Sequence, residues 1–203
     1  MSEQKALWSR LISGPRSYSM LDTAMWRVVR GLSTMSGQTI SHGSPRVDCV
    51  PITQITTYAG SPEAEKVGIY LVMSGGLHGQ ALLILSKTSA LRLADLLMGD
   101  PAGTTGELGV MERSALAEVG NLAVSAFLNT MAVQNPQAPR LMRPSPPAVM
   151  VDMLGAILDV IVTPVAAVRD DLLIIDTNFG NTQRTVQGRF WIIPDPAIGD
   201  LAG

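Results

Sequence analysis

Met111 to Ala132 reads MERSALAEVGNLAVSAFLNTMA, and this stretch decides the architecture. Ser114, Glu118, Asn121 and Ser125 recur at intervals of 4, 3 and 4 residues. At about 100° per residue they fall within an arc of roughly 60° on one helix face. Leu116, Val119, Gly120, Ala123, Phe127 and Met131 take the opposite side. The spacing predicts a long amphipathic helix over about 110–133 with a narrow polar strip. A surface helix needs some polar face, but an ordinary solvated face is richer in Lys, Arg and Glu. Here Glu118 is the only charged residue between Ser114 and Ala138. A long helix so poor in charge is expected to be covered, or to face a partner. Gly120, between Glu118 and Asn121, allows close helix approach at a helix-propensity cost of about 1 kcal/mol relative to Ala.

Working outward, Met20, Ala24, Val28, Leu32 and Met35 recur at helical spacing over Ser19 to Ser36, and Gly37 is a natural stop. Gln38 to Tyr58 is rich in Thr, Ile and Val, is broken by Pro45 and Pro51, and reads as extended. KVGIYLVM (Lys66 to Met73) and GQALLILS (Gly79 to Ser86) flank the turn signal Ser74-Gly75-Gly76 and predict a β-hairpin. Thr88 to Met98 is helical in pattern, and Gly99 to Gly109 is a loop. Asn135 to Pro147 holds five prolines and must be irregular. Met150 to Val162 reads as helix. LLIID (Leu172 to Asp176) and GRFWII (Gly188 to Ile193) predict a second hairpin closed by Pro194.

Each half thus supplies a long helix and a hairpin. Leu32-Ser33-Thr34-Met35 echoes Leu128-Asn129-Thr130-Met131. The expectation is a short N-terminal arm (1–17), containing the breaker Gly14-Pro15, and then one α+β domain over 18–203. That domain is a pseudo-two-fold duplication (about 18–100 and 108–203), with a shared β-sheet and long helices packed on it.

Composition narrows the function. The net charge of −2 leaves no basic excess for nucleic acid. Cys49 is the single cysteine, so intramolecular disulfides and multi-cysteine metal sites are excluded, and a reducing, cytoplasmic compartment is expected. His42 and His78 lack ligand-like spacing and read as solvated strand or turn residues; no metal site is expected. Mean hydropathy is high, at +0.25, yet no run approaches the roughly 18–20 apolar residues of a membrane span. The longest apolar region, Met150 to Val168, is broken by Asp152, Asp159 and Pro164, and the first residues do not read as a signal peptide. No Gly-x4-Gly-Lys-Ser/Thr loop occurs, and Ser114 and Ser125 have no nearby His or Lys to activate them.

Ser114-x3-Glu118-x2-Asn121-x22-Pro144 resembles the signature of the CheC/CheX/FliY chemotaxis phosphatases, [Asp/Ser]-x3-Glu-x2-Asn followed by x22 and Pro. SPPAVMVDMLGAIL (Ser145 to Leu158), LLIIDTNF and FWIIPDP resemble the segments that follow it in CheC proteins. The resemblance implies an aspartyl-phosphate phosphatase acting on a phosphorylated CheY-type response regulator. In that reading Asn121 orients the attacking water and Glu118 pairs with the regulator's active-site lysine. Ser114 and Pro144 support the local geometry. The chain binds no cofactor itself, because Mg²⁺ travels with the regulator.

The first helix departs from the pattern. It offers Ser19 with Asp22, or Asp22 with Met25 in the register of the Leu-x-Thr-Met echo; neither is Glu with Asn, so one working pair is expected. The resemblance also implies docking of a CheD-type receptor deamidase through Val149 to Val162, where Asp152 is a candidate contact. An Asp at a helix N-terminus is equally explained by the helix dipole. The alternatives are a non-catalytic adaptor of the same fold, binding CheD or flagellar switch components, and an unrelated structural domain. A monomer is the default, with no membrane insertion.

Overall fold

The computed structural model describes residues 3–14, 16–134 and 141–196. In chain order the elements are helices α1 (Glu3–Ser13) and α2 (Ser17–Ser36), strands β1 (Ile40–His42) and β2 (Arg46–Pro51), and helix α3 (Ile55–Ala59), entered through a single 3-10 turn. The hairpin β3 (Glu65–Ser74) and β4 (Gly79–Ser86) leads to α4 (Lys87–Met98) and α5 (Val110–Gln134). Then come β5 (Arg143–Pro144), β6 (Ala148–Met153), α6 (Leu154–Ala166), and the hairpin β7 (Asp171–Asn181) and β8 (Gln187–Pro194).

Among the described residues, eight strands form one antiparallel sheet in the order β1-β7-β8-β4-β3-β5, with β2 also on β7 and β6 also on β3. This order is palindromic when the halves are exchanged. β4 meets β8 at the centre, with Leu82 opposite Trp191 and Leu83 opposite Phe190. The entry strands of each half cross over to pair with the hairpin of the other: β1 and β2 on β7, β5 and β6 on β3. The helix and hairpin duplication expected from the sequence is therefore real, and it is interleaved rather than side by side.

Both sheet faces are covered, which is why GQALLILS reads as an unbroken apolar run. Alternate residues part to two cores. Val67, Ile69, Leu71, Leu83, Leu85, Ile175 and Phe190 pack with α1, α2, α4 and α5. Leu82, Ile84, Ile174, Trp191 and Ile193 pack with Ile55 of α3 and with Leu154, Ile157, Leu158 and Ile161 of α6. Helix ends follow the local chemistry. Gly37 closes α2 at φ 64°; the Ser86 hydroxyl caps α4 by accepting from the Ser89 amide at 3.0 Å.

Three segments differ from expectation. The arm is a helix, and Leu7, Trp8 and Leu11 of α1 lie in the main core. Apolar spacing on one face drives it there despite the following Gly14. Met150 to Val162 is not one helix: β6 runs to Met153, because its Val149 and Val151 pair against β3, and α6 starts only at Leu154. Gln38 to Tyr58 is extended only to Pro51, beyond which it coils into α3. The 25 residues of α5 also form a helix long and apolar enough to cross a membrane by length and composition; its apolar side is spent on the core instead.

The face carrying α3 and α6 is locked by a buried carboxylate. Asp176, 1% exposed, accepts from Arg189 (Nη2 2.6 Å, Nε 3.2 Å), Arg46 (Nη2 2.8 Å), the Tyr58 hydroxyl (3.0 Å) and Trp191 Nε1 (3.0 Å). Arg189 also donates to the Tyr58 and Ala59 carbonyls and stacks 4.9 Å from the Tyr58 ring. Burial pushes the Asp176 carboxyl up, and the two guanidinium groups override it, holding the acid below its ordinary range.

Candidate functional site

Helix α5 lies on β3 and beside α2 with its apolar side inward. Leu116, Val119, Ala123, Phe127 and Met131 are buried, as the helical spacing requires. Gly120 removes the side chain where the helix meets Ile69 and Leu71 of β3. This orientation leaves Ser114, Glu118 and Asn121 exposed along one line, with Ser125 half-buried at its end. None of the Ser114, Glu118 or Asn121 side chains has a hydrogen-bond or ion-pair partner among the described residues. The strip is therefore a row of unspent polar groups held on a rigid element: a carboxylate, a carboxamide and a hydroxyl. A carboxylate and a carboxamide one turn apart can grip a partner cation and a water together.

Pro144 reaches this helix through β5, which pairs with the end of β3 (Met73 opposite Pro144) and packs alongside α5. The adjoining Ser145 fixes that strand: its amide donates to the Val72 carbonyl at 2.7 Å, and its hydroxyl accepts from the Val72 amide at 2.9 Å. Asp152 is not brought to the strip. It is exposed on β6 with its carboxylate accepting the Met153 amide at 2.7 Å. Its register opposite Lys66 puts it on the α6 side of the sheet, away from α5. It also stands in a strand rather than in the first turn of a helix.

The first half holds no copy of the pair. The sequence echo aligns Asp22 with Glu118 and Met25 with Asn121. Met25 is buried, at 2% exposure, where Asn121 is exposed. Beside Asp22 stands His42, expected as a solvated residue and found otherwise, with its side chain only 4% exposed. Its Nδ1 donates to the Gly43 carbonyl at 2.8 Å, its Nε2 lies 4.0 Å from Asp22, and its ring meets the edge of Trp26 at 5.2 Å. The strand β1 places it there by pairing with β7, a contact far outside any local sequence window. Among the described residues no group of three or more His, Cys, Asp or Glu is arranged to hold a metal ion. Asp100, Glu107 and Glu112, unremarked in the sequence, gather at the start of α5.

No family model matches the chain. It is 24% identical over 155 residues to the CheY-P phosphatase CheC of Bacillus subtilis, spanning 74% of this chain and 73% of that one. It is 27% identical over 105 residues to the putative CheY-P phosphatase CheC1 of Halobacterium salinarum, covering 52% and 53% of the two chains. Among solved structures, Thermotoga maritima FliY superposes with a TM-score of 0.67 at 20% identity, over 89% of this chain and 88% of that one. The FliM middle domain of H. pylori has the same fold, with a TM-score of 0.59 at 12% identity over 96% and 92%.

Proposed function

On the premise that this chain is a member of the CheC, CheX and FliY family, we propose that it is a phosphatase for the aspartyl phosphate of a CheY-type response regulator, with Glu118 and Asn121 as its one working pair. The observation that carries this reading is the strip itself: exposed, without a partner among the described residues, and presented on a helix anchored by its apolar side.

An acyl phosphate is already reactive, so the chain has only to position water and exclude misalignment. Glu118 pairs with the regulator's active-site lysine and fixes the register of the two proteins. The Asn121 amide, a donor and an acceptor at once, holds a water in line with phosphorus. Water adds as the phosphorus–oxygen bond to the aspartate breaks, releasing inorganic phosphate and a free carboxylate. Ser114 and Pro144 shape the ends of the strip. The chain contributes no cofactor; Mg²⁺ belongs to the regulator. It works as a monomer in the cytoplasm.

The test follows decay of a phosphorylated CheY-type receiver in Mg²⁺ with wild type, Glu118→Ala and Asn121→Ala. Faster decay with wild type, lost in both variants, establishes the reaction and its pair. Both side chains are exposed and have no partner among the described residues, so both variants should keep wild-type stability within about 0.5 kcal/mol. A second reading is favoured by the buried Met25 in the first half and by the fold shared with the FliM middle domain. It is an adaptor that binds flagellar switch components, or a CheD-type deamidase through the β6–α6 region and Asp152, with no turnover. Binding of the receiver or of CheD without accelerated decay would select it.

A further inference from the structure

Between the loop 99–109 and the first turn of α5 lies a cleft of about 670 Å³. Met98 and Met111 supply its apolar surface, and Asp100, Glu107 and Glu112 its charge; among the described residues no basic side chain lines it. Met111 is 73% exposed and its neighbour Val110 is 87% exposed, and both are large apolar groups left in water. Methionine is the side chain best able to mould to a partner.

The wall of the cleft is built, not slack. Asp95 is completely buried in α4 and accepts the loop amides of Gly103 at 2.6 Å and Thr105 at 2.8 Å. Its backbone carbonyl accepts the Asp100 amide at 2.9 Å. Thr105 and Gly103 hold its carboxyl below the ordinary range, so it keeps the charge that orders the loop. A surface ordered before binding loses less entropy on association.

The cleft is continuous with the strip. Met111 lies on the same face of α5 as Ser114 and Glu118, and at 1.5 Å per residue it stands roughly 15 Å from Asn121 along the helix. A standard protein interface covers about 800 Å² per partner, a disc some 16 Å in radius. Any such interface centred between Glu118 and Asn121 therefore reaches Met111.

We propose that this methionine-lined, acidic cleft is the specificity-determining dock for the regulator, and that it receives an apolar side chain framed by lysine or arginine on the receiver surface beside the phosphorylated aspartate. The charge of the lining selects that occupant over an acidic or purely apolar one. The proposal rests on the phosphatase reading for its partner, but not on turnover.

Binding is measured with a CheY-type receiver loaded with Mg²⁺ and beryllofluoride, which holds the phosphorylated conformation without being hydrolysed. Met111→Asp and the double variant Glu107→Lys/Glu112→Lys should each raise Kd at least tenfold. Wild-type Kd should rise with ionic strength, and the charge-reversed variant should lose that dependence. Val168→Asp, at a position 63% exposed just after α6, is the control and should bind as wild type does. Unchanged Kd in both cleft variants overturns the dock, whether or not the chain is a phosphatase. Wild type that does not bind the loaded receiver overturns it as well. Tight binding lost in the cleft variants, with no accelerated decay by wild type, supports the dock and refutes the phosphatase.

Discussion

Gly120 stands directly against Ile69: a Cβ at position 120 would lie 2.5 Å from Ile69 Cγ2 and 3.2 Å from Leu71 Cδ1. The missing side chain falls between Glu118 and Asn121, so the height of the polar strip above the sheet is set at this point. Gly120→Ala should cost about 1–3 kcal/mol through overpacking, offset by about 1 kcal/mol of helix propensity. The net loss of stability is small, but α5 must lift. On the proposed phosphatase reading, phosphoryl-decay activity should fall severalfold while urea denaturation shows only about 1 kcal/mol of destabilisation. Full activity in a folded Gly120→Ala protein would show that the strip tolerates displacement.

Helix α1 is part of the core rather than an appendage. Trp8 is fully buried, and its indole N–H donates to the His78 carbonyl at 3.1 Å. Trp8→Ala should destabilise by about 3–5 kcal/mol, read by chemical denaturation. Trp8→Phe keeps most of the packing and should lose clearly less. A near-neutral Trp8→Ala would mean that α1 is dispensable.

The Asp176 cluster makes stability depend on acid. Its folded carboxyl titrates below the ordinary value of about 3.9, so the charged form stabilises the fold above that value. The contribution disappears as pH falls through the lowered folded value. Asp95 and Asp171, held down chiefly by Thr105 and by Cys49 respectively, act with the same sign. Tm should therefore be nearly flat above about pH 5 and drop steeply below about pH 4. Asp176→Asn removes the buried carboxylate from Arg189, whose side chain is only 20% exposed, and should cost about 3 kcal/mol at pH 7, with a shallower acid limb than wild type. An unaltered acid limb would assign the pH dependence elsewhere.

Cys49 is exposed yet chemically quiet. Its thiol donates to Asp171 at 2.8 Å, and that bond, with partial burial, raises it to about 11. At pH 8 the thiolate is then roughly a hundredfold scarcer than for an ordinary thiol. Alkylation should be correspondingly slow, and Asp171→Asn should speed it at least tenfold. Equal rates in the two proteins would remove Asp171 as the cause.

What the sequence made legible was whatever repeats locally. The period of α5 placed its buried face and its strip, Gly37 marked the end of α2, and Ser74-Gly75-Gly76 marked the first hairpin. What it hid depends on distant partners. Val149, Met150 and Val151 form a short apolar run that fits a helix as well as a strand, and only pairing with β3 decides. In α1, the breaker pair after Ser13 masked the apolar spacing of Leu7 and Leu11. Asp176 sits in LLIID without local signal, because its partners come from positions 46, 58, 189 and 191. The strip was recognisable as polar groups on one face, but its freedom from partners was not, nor was the cleft at its start, where Met98 and Met111 meet only through the loop tied to Asp95.

The strand exchange between the halves has an evolutionary corollary. Because β1 and β2 complete the hairpin of the second half while β5 and β6 complete that of the first, deleting either half would leave the survivor with bare sheet edges. The backbone of the first half is thus indispensable whatever side chains α2 presents, and Asp22 and Met25 stand where the second half has Glu118 and Asn121. Chemistry in such a duplicate is free to be lost; its backbone is not.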